Sequence, residues 1–337
     1  MSRDAPGRAP GERIFYMGIP IVFSKKYTVP GCGHVFKAGK FEAALKLLLK
    51  EKTAAVADIV RPRRPSREDL ELAHTGAWVE KVLSGKLTAA DAARAELKIT
   101  KKVLEAHLMS VGGTILAACQ ALRAGLGVNC GGGAHHAFAD HGEGFCLLND
   151  LAVAVNKLRG LKKIKRALVI DLDVHQGNGT ASIFRGDKDV FTFSMHQRDL
   201  YPGAGEKSSL DLALPPGAGD LEYLKLLRAR LPEVFRRSRP DLVIYNAGVD
   251  VYKHDLLGGL KLTMAGVSAR DELVFGACFK RKVPVAVVLS GGYAAKFSET
   301  ARLHANTIKA AVRLWRKAGA GKNRRRGKKD ENTCCGG

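Results

Sequence analysis

The segment DLDVHQGNG, residues 171–179, sets Asp171, Asp173 and His175 at alternate positions directly after the apolar run 167–170. Alternate side chains of a strand share a face, so this spacing sends two carboxylates and an imidazole to one side. If the strand end is irregular, the three converge instead on a point just past it. Carboxylates and imidazole together suit zinc or another divalent transition metal. Asp173, His175 and the distant Asp250 of NAGVD make three protein ligands. That number leaves positions for a water and a substrate oxygen, the arrangement of a catalytic metal site. Taken alone, the triplet equally fits a capped strand end with incidental acids.

Other chemistry-bearing residues stand in comparable places. His135 and His136 follow Gly131–Gly133 in GGGAHHAF. Imidazole titrates near neutral pH, so the pair suits acid–base work beside an activated water. A single buried histidine is more often a core residue with its bonds satisfied, but two adjacent ones on a chain with a metal triad are harder to dismiss. Tyr293 follows two glycines in LSGGY, where the backbone can turn tightly and present a phenol to a developing oxyanion. Plain packing at a strand end is the alternative for this tyrosine.

Such residues need elements to position them. Apolar runs of strand length fall at 19–23, 127–130, 167–173, 190–195, 242–248 and 283–290. Helical patterns fall at 39–50, 66–83, 101–124, 149–159, 220–237, 263–281 and 298–317, and Ser66 followed by Asp69 reads as an N-cap. β-branched runs alternating with helices predict an α/β fold, a single-domain three-layer α/β/α arrangement around a mainly parallel sheet. Sheets of this kind bind ligands at the carboxyl ends of their strands. The clusters around His135, Asp173, Asp250 and Tyr293 all fall at such ends, which packing alone does not explain. Neither linker nor internal repeat interrupts residues 14–315. One catalytic domain is expected there, between a flexible N-terminus (1–13) and a basic disordered tail (316–337).

The segments GGGAHHAFADHGEGFCLLND, VIDLDVHQGNGTASIF, FSMHQRDLYPGAG, YNAGVD, RDELVF and LSGGY occur in this order. Together they resemble the histone deacetylase superfamily, whose fold is shared with arginase. DLDVHQGNG with NAGVD and SGGY is most similar to the class IV deacetylases and their bacterial relatives. The resemblance spans residues 14–315, with an N-terminal echo in GHVFKAGKFEAALKLL. It implies that Asp173, His175 and Asp250 bind Zn2+, with Fe2+ equally suited to such ligands. It implies that His135 and His136 are the active-site histidines, with Asp171 orienting the first and Asn178 beside the second. On the same resemblance Tyr293 polarises the scissile carbonyl. Phe145 and Tyr201 would then wall a tunnel for the acyl-lysine chain, lined by Gly144, and a structural K+ would lie near Asp171, Asp173, His175 and Ser194.

Asn178 stands where class I enzymes usually carry an aspartate. A neutral amide raises the pKa of His136 less than a carboxylate would, so His136 is expected to be neutral at pH 7 and to serve as the base. His135, beside Asp171, holds positive charge more readily. KHDLLGG replaces the GDRLGG common in class IV relatives and brings in His254 and Leu256; His254 is expected at the surface. No role falls to His141, and packing or exposure accounts for His34, His74, His107 and His304.

The expected function is a zinc-dependent amidohydrolase that removes acetyl or longer acyl groups from protein lysines. Deacylation of small-molecule amides such as acetylpolyamines is a second reading. An inactive acyl-lysine-binding protein is a third, disfavoured because every expected position is filled. An arginase-like dimanganese site is disfavoured because NAGVDVY offers one aspartate where two are expected.

Composition bounds the remainder. A chain of 337 residues, 46% hydrophobic and 26% charged, has material for a large core. It contains no run of about 18 uncharged apolar residues, so no membrane span is expected. The polar start MSRDAPGRAPGER lacks the apolar core of a secretory signal. Seven scattered cysteines without a CxxC pair point to neither a zinc finger nor a disulfide framework. The default location is a reducing cytoplasm, or the nucleus in a eukaryote. Net charge is +22, and the tail from Arg316 contributes eight basic and two acidic residues to it. Such charge attracts acidic surfaces, nucleic acid included, without specificity. No nucleic-acid-binding signature accompanies it, and the terminal CCGG does not fit prenylation.

Overall fold

The computed structural model describes residues 18–29, 37–203 and 205–319. The expected flexible N-terminus, His34 and nearly all of the expected basic tail lie outside the described residues. The strands are β1 (Ile21–Val22), β2 (Ile59–Val60), β3 (Leu126–Asn129), β4 (Ala167–Asp171), β5 (Val190–Gln197), β6 (Leu210–Leu214), β7 (Leu242–Asn246) and β8 (Val285–Val288). They form one sheet in the order β2-β1-β3-β8-β7-β4-β5-β6. Every pairing between these strands is parallel. The helices are α1 (Gly39–Lys50), α2 (Arg67–Glu71), α3 (Gly76–Ser84), α4 (Ala89–Arg94), α5 (Lys101–Ala124), α6 (Asp150–Gly160), α7 (Asn178–Ile183), α8 (Asp220–Ser238), α9 (Met264–Lys280) and α10 (Phe297–Lys317). Helix α10 therefore carries regular structure through Lys317, past the expected start of the tail at Arg316.

Alternation within the central strands divides the core into two. Leu168 and Ile170 of β4 join Phe193, Val243 and Val285 against α1, α8, α9 and α10. Ala167 and Val169 join Ile244, Ala286 and Val288 against α3, α5 and α6. Both faces are covered, which is why these strands read as unbroken apolar runs. Helix α5 is long and apolar enough to cross a membrane, but 72% of its apolar window is buried in the protein, as in a core helix.

The structure departs from the sequence expectation at the sheet edges and at the strand ends. β2 and β6 were not anticipated, because edge strands need not be apolar on both faces: Leu210, Asp211 and Leu212 are half-buried and Ala213 is exposed. The single helix expected over 66–83 is two. Ser66 and Asp69 form a capping box that starts α2, and Thr75 caps α3 at the nitrogen of Trp78. Between them, His74 Nδ1 lies 2.9 Å from the Phe138 carbonyl and the Thr75 nitrogen donates to the Ala139 carbonyl at 2.8 Å. These bonds interrupt the helix and anchor the loop that follows the histidine pair. Strands β4, β7 and β8 end at Asp171, Asn246 and Val288, earlier than their apolar runs. Asp173, His175, Asp250 and Tyr293 consequently stand on loops beyond the sheet's carboxyl edge, and the second of the two sequence geometries holds.

Helix α5 lies against β3 at close range. A Cβ on Gly127 would fall well inside contact distance of the Ala117 carbonyl oxygen. Gly127→Ala should therefore destabilise the protein by about 1–3 kcal/mol, the usual cost of overpacking. Urea denaturation measures this, and a wild-type midpoint would contradict the close approach.

Candidate active site

The loop after β4 carries Asp173 and His175, and the loop after β7 carries Asp250. One ligand atom from each lies within 4.8 Å of the others, and all three residues are buried. His175 Nδ1 is 3.1 Å from Asp173 Oδ1 and 3.5 Å from Asp250 Oδ2. Asp173 Oδ2 accepts from Ser290 Oγ and from the Gly291 nitrogen, each at 3.0 Å. Asp250 Oδ1 accepts from the Val174 nitrogen at 2.8 Å, while its Oδ2 has no hydrogen-bond partner among the described residues. A Cβ on Gly291 would land on the Asp173 and Asp250 carboxylates, so only glycine leaves this cradle open. Burial, and then the charge of Asp173, push the Asp250 carboxyl up to about 7. Burial also opposes the charge of Asp173, but His135 and His175 outweigh it and hold that carboxyl well below its usual range. A divalent cation is the partner that lets both carboxylates ionise together. The donor set, the unpartnered oxygen and the open cradle thus fit a metal ion.

These loops are held from beneath. Arg270, on α9 and fully buried, donates through Nη1 to the carbonyls of Leu172 (3.0 Å) and Gly248 (2.6 Å). Its Nε and Nη2 bond Asp271 Oδ1 at 3.0 and 2.8 Å. Asp271 in turn accepts from Tyr245 Oη and Thr307 Oγ1, each at 2.6 Å. One guanidinium therefore fixes the residue before Asp173 and a residue two before Asp250.

The histidine pair sits where the sequence put it. His135 Nδ1 is 2.7 Å from Asp171 Oδ2, and His136 Nδ1 is 2.7 Å from Asn178 Oδ1. The two rings lie 4.0 Å apart. Burial opposes charge on His135, but Asp171 and Asp173 overcome it and raise its pKa to about 9. Burial, reinforced by the positive charge of His135 and His175, drives His136 well below its ordinary value. The two shifts run in the expected directions, but burial and the neighbouring histidines, not the neutral amide of Asn178, cause the fall at His136. The preceding glycine loop is pinned by Asp150, which accepts from the nitrogens of Gly133 and Ala134 and from Thr114 Oγ1.

Tyr293 lines a cavity of about 320 Å³ together with His135, His136, Asp173 and His175, and Gly144, Phe145 and Tyr201 wall it as well. The rings of Phe145 and Tyr293 are 6.1 Å apart, and Tyr201 lies edge-on to His136 at 5.0 Å. Ser194 faces Asp171 across the β4–β5 pairing, and its Oγ is 2.9 Å from His196 Nδ1. His254 is exposed, as expected, 3.6 Å from Glu299. His74 is structural, bridging Phe138 and the Asn149 nitrogen. His107 lines the cavity.

Sequence reasoning missed four residues. Arg270 lay in RDELVF, a segment quoted without a role. Asp255 accepts from the Tyr293 nitrogen at 2.6 Å. Lys40 is buried and donates to the carbonyls of Ser290 (2.9 Å) and Gly292 (3.2 Å), with Nζ 4.7 Å from the Tyr293 ring. Glu143 bonds Asn178 and Tyr201. A charged residue that bonds backbone or a distant loop leaves no periodic trace, so only the segment likeness could have drawn attention to these positions.

A buried metal-fitting triad, a histidine pair and a tyrosine at the carboxyl edge of a parallel sheet define a hydrolase site of the arginase/deacetylase fold. The family model for the histone deacetylase domain matches residues 34–310. Histone deacetylase 2 of Arabidopsis thaliana is 32% identical over 303 residues, covering 86% of this chain and 78% of that protein. An uncharacterised protein of Picosynechococcus is 41% identical over 88% of this chain and 99% of its own length. The crystal structure of the HDA15 HD domain superimposes with a TM-score of 0.70 at 23% identity, covering 90% of this chain and 92% of that one, and shares the fold. The chain belongs to the histone deacetylase family and is a hydrolase of that family.

Removing Arg270 leaves Asp271 charged without its cation and frees two loop carbonyls. Arg270→Ala should lower stability by about 3–5 kcal/mol, as for other broken buried ion pairs. Chemical denaturation checks this, and a loss below about 1 kcal/mol would mean the clamp is dispensable.

Proposed function

We propose that this hydrolase removes acyl groups from lysine side chains, using a metal ion, zinc or ferrous iron, held by Asp173, His175 and Asp250. The observation that carries the reading is the buried triad, two of whose members, Asp173 and His175, line a cavity together with His136 and Tyr293. When bound, the metal would polarise the amide carbonyl and lower the pKa of water in the site. Neutral His136 takes the water proton as the oxygen adds to the carbonyl carbon, and returns it to the lysine nitrogen as the C–N bond breaks. His135 stays protonated against Asp171 and contributes positive charge beside the reacting atoms. Tyr293 donates a hydrogen bond to the carbonyl oxygen as negative charge develops there. Phe145, Gly144 and Tyr201 hold the aliphatic part of the lysine.

The cavity is also lined by Tyr27, Phe41 and Val103. This apolar lining favours acyl groups longer than acetyl. Ser194, opposite Asp171, supports a structural K+ near Asp171, Asp173 and His175. Cys130, Cys146 and Cys278 are buried thiols outside any disulfide, in keeping with a reducing cytoplasm or nucleus. The basic tail would add weak, salt-dependent contact with acidic surfaces.

Hydrolysis of peptides bearing acetyl-, butyryl-, octanoyl- and myristoyl-lysine tests the reading, with Tyr293→Phe alongside. Wild type should turn over at least one peptide, and loss of the phenol should lower kcat by about 10²–10³, the effect of losing an oxyanion donor. Turnover of acetylpolyamines alone would move the assignment to small-molecule amides. Unchanged turnover by Tyr293→Phe would remove the tyrosine from the chemistry.

A further inference from the structure

The amide of Asn178 could face His136 with either its oxygen or its nitrogen, because the two ends have the same shape. Its far side settles the choice. Asn178 Nδ2 donates to Glu143 Oε1 at 2.7 Å. A carboxylate only accepts, so the NH2 end must point to Glu143 and the oxygen to His136. That oxygen also only accepts, so the proton of a neutral His136 must sit on Nδ1, 2.7 Å away. Nε2, on the other side of the ring, is left with the lone pair a base requires. The same Glu143 Oε1 accepts from Tyr201 Oη at 2.6 Å. Glu143 stands in a tight turn, its nitrogen donating to the Cys146 carbonyl at 2.9 Å and its carbonyl accepting from the Cys146 nitrogen at 2.8 Å. That turn also carries the cavity residues Gly144 and Phe145.

We propose that Glu143 is a positioning residue that fixes the Asn178 amide, and through it the Nδ1–H tautomer of His136, and that it locks this tautomer to the cavity wall at Tyr201. The kinetic part rests on the reading of His136 as the base. The tautomer part does not.

Exchanging the two side chains separates position from mere presence. Glu143→Gln alone puts two amides in series, and each can flip, so neither tautomer is imposed. Glu143→Gln with Asn178→Asp puts the carboxylate against His136 and the amide behind it. In that double variant the NH2 group at position 143 takes the place of Oε1 and donates one hydrogen to the carboxylate at position 178 and the other to Tyr201 Oη. A carboxylate again faces His136 as a pure acceptor, so the ring must again carry its proton on Nδ1.

Long-range nitrogen–proton NMR correlations on the full chain labelled at histidine nitrogen read the tautomer directly, with and without added zinc. The wild type should show only Nδ1–H at His136. Glu143→Gln should show a second, Nε2–H population, and the exchange should restore the single form. In peptide hydrolysis, Glu143→Gln should lower kcat by about tenfold, inside the ~10²–10⁴ that positioned proton transfer contributes. KM should change less than kcat, and the exchange should recover most of the loss. A pure Nδ1–H form in Glu143→Gln would overturn the proposal, as would an exchange no better than the single variant. A wild type that hydrolyses no peptide would sink the deacylase reading and leave the tautomer result standing by itself.

Discussion

Burying two carboxylates side by side is costly unless a cation or a proton sits between them. Asp173 and Asp250 are both buried, on loops from different strands, with His175 completing the set. Much of the surrounding structure serves to hold that arrangement. Arg270 secures the carbonyls flanking both loops, Ser290 and the Gly291 nitrogen fix one oxygen of Asp173, and glycine at 291 leaves the cradle clear. Lys40 bonds the carbonyls on either side of Gly291 and so adds a second buried cation to the same loop. The sheet contributes the convergence, because adjacent parallel strands deliver their loops to one edge.

A second consequence concerns the paired histidines. They are neighbours in sequence and touch in space, yet their environments drive them apart. A direct carboxylate partner keeps His135 charged, and that charge helps keep His136 neutral. Two identical side chains thereby acquire opposite tendencies, one toward holding a proton and one toward staying neutral, as the proposed division of roles requires. The hydrogen bond from Asn178 works against this fall at His136 but does not outweigh burial and the neighbouring histidines, and Glu143 stands behind the amide, one hydrogen bond further away.

Most of the fold and the inner site could be read from the chain. Long β-branched runs gave the central strands, because those strands are buried on both faces. The convergence of Asp173, His175 and Asp250, the histidine pair and Tyr293 were legible because each combines distinctive residue types with a strand end. The edge strands β2 and β6 were not, since one-sided burial leaves short mixed sequences. The break between α2 and α3 was hidden because tertiary bonds from His74 and Thr75 make it. Arg270, Lys40 and Asp255 were hidden for a related reason: their partners are backbone groups and residues far along the chain, and a buried lysine looks like a surface lysine in sequence.

The account depends most on Asp173, His175 and Asp250 acting as one metal site. Equilibrium dialysis of the full chain against zinc, at neutral pH, tests this without reference to any substrate. The wild type should hold one tightly bound zinc per chain, and Asp250→Asn, which keeps the shape and removes one charge, should release it while remaining folded. A wild type that binds no metal, or an Asp250→Asn variant that binds it as tightly, would contradict the account.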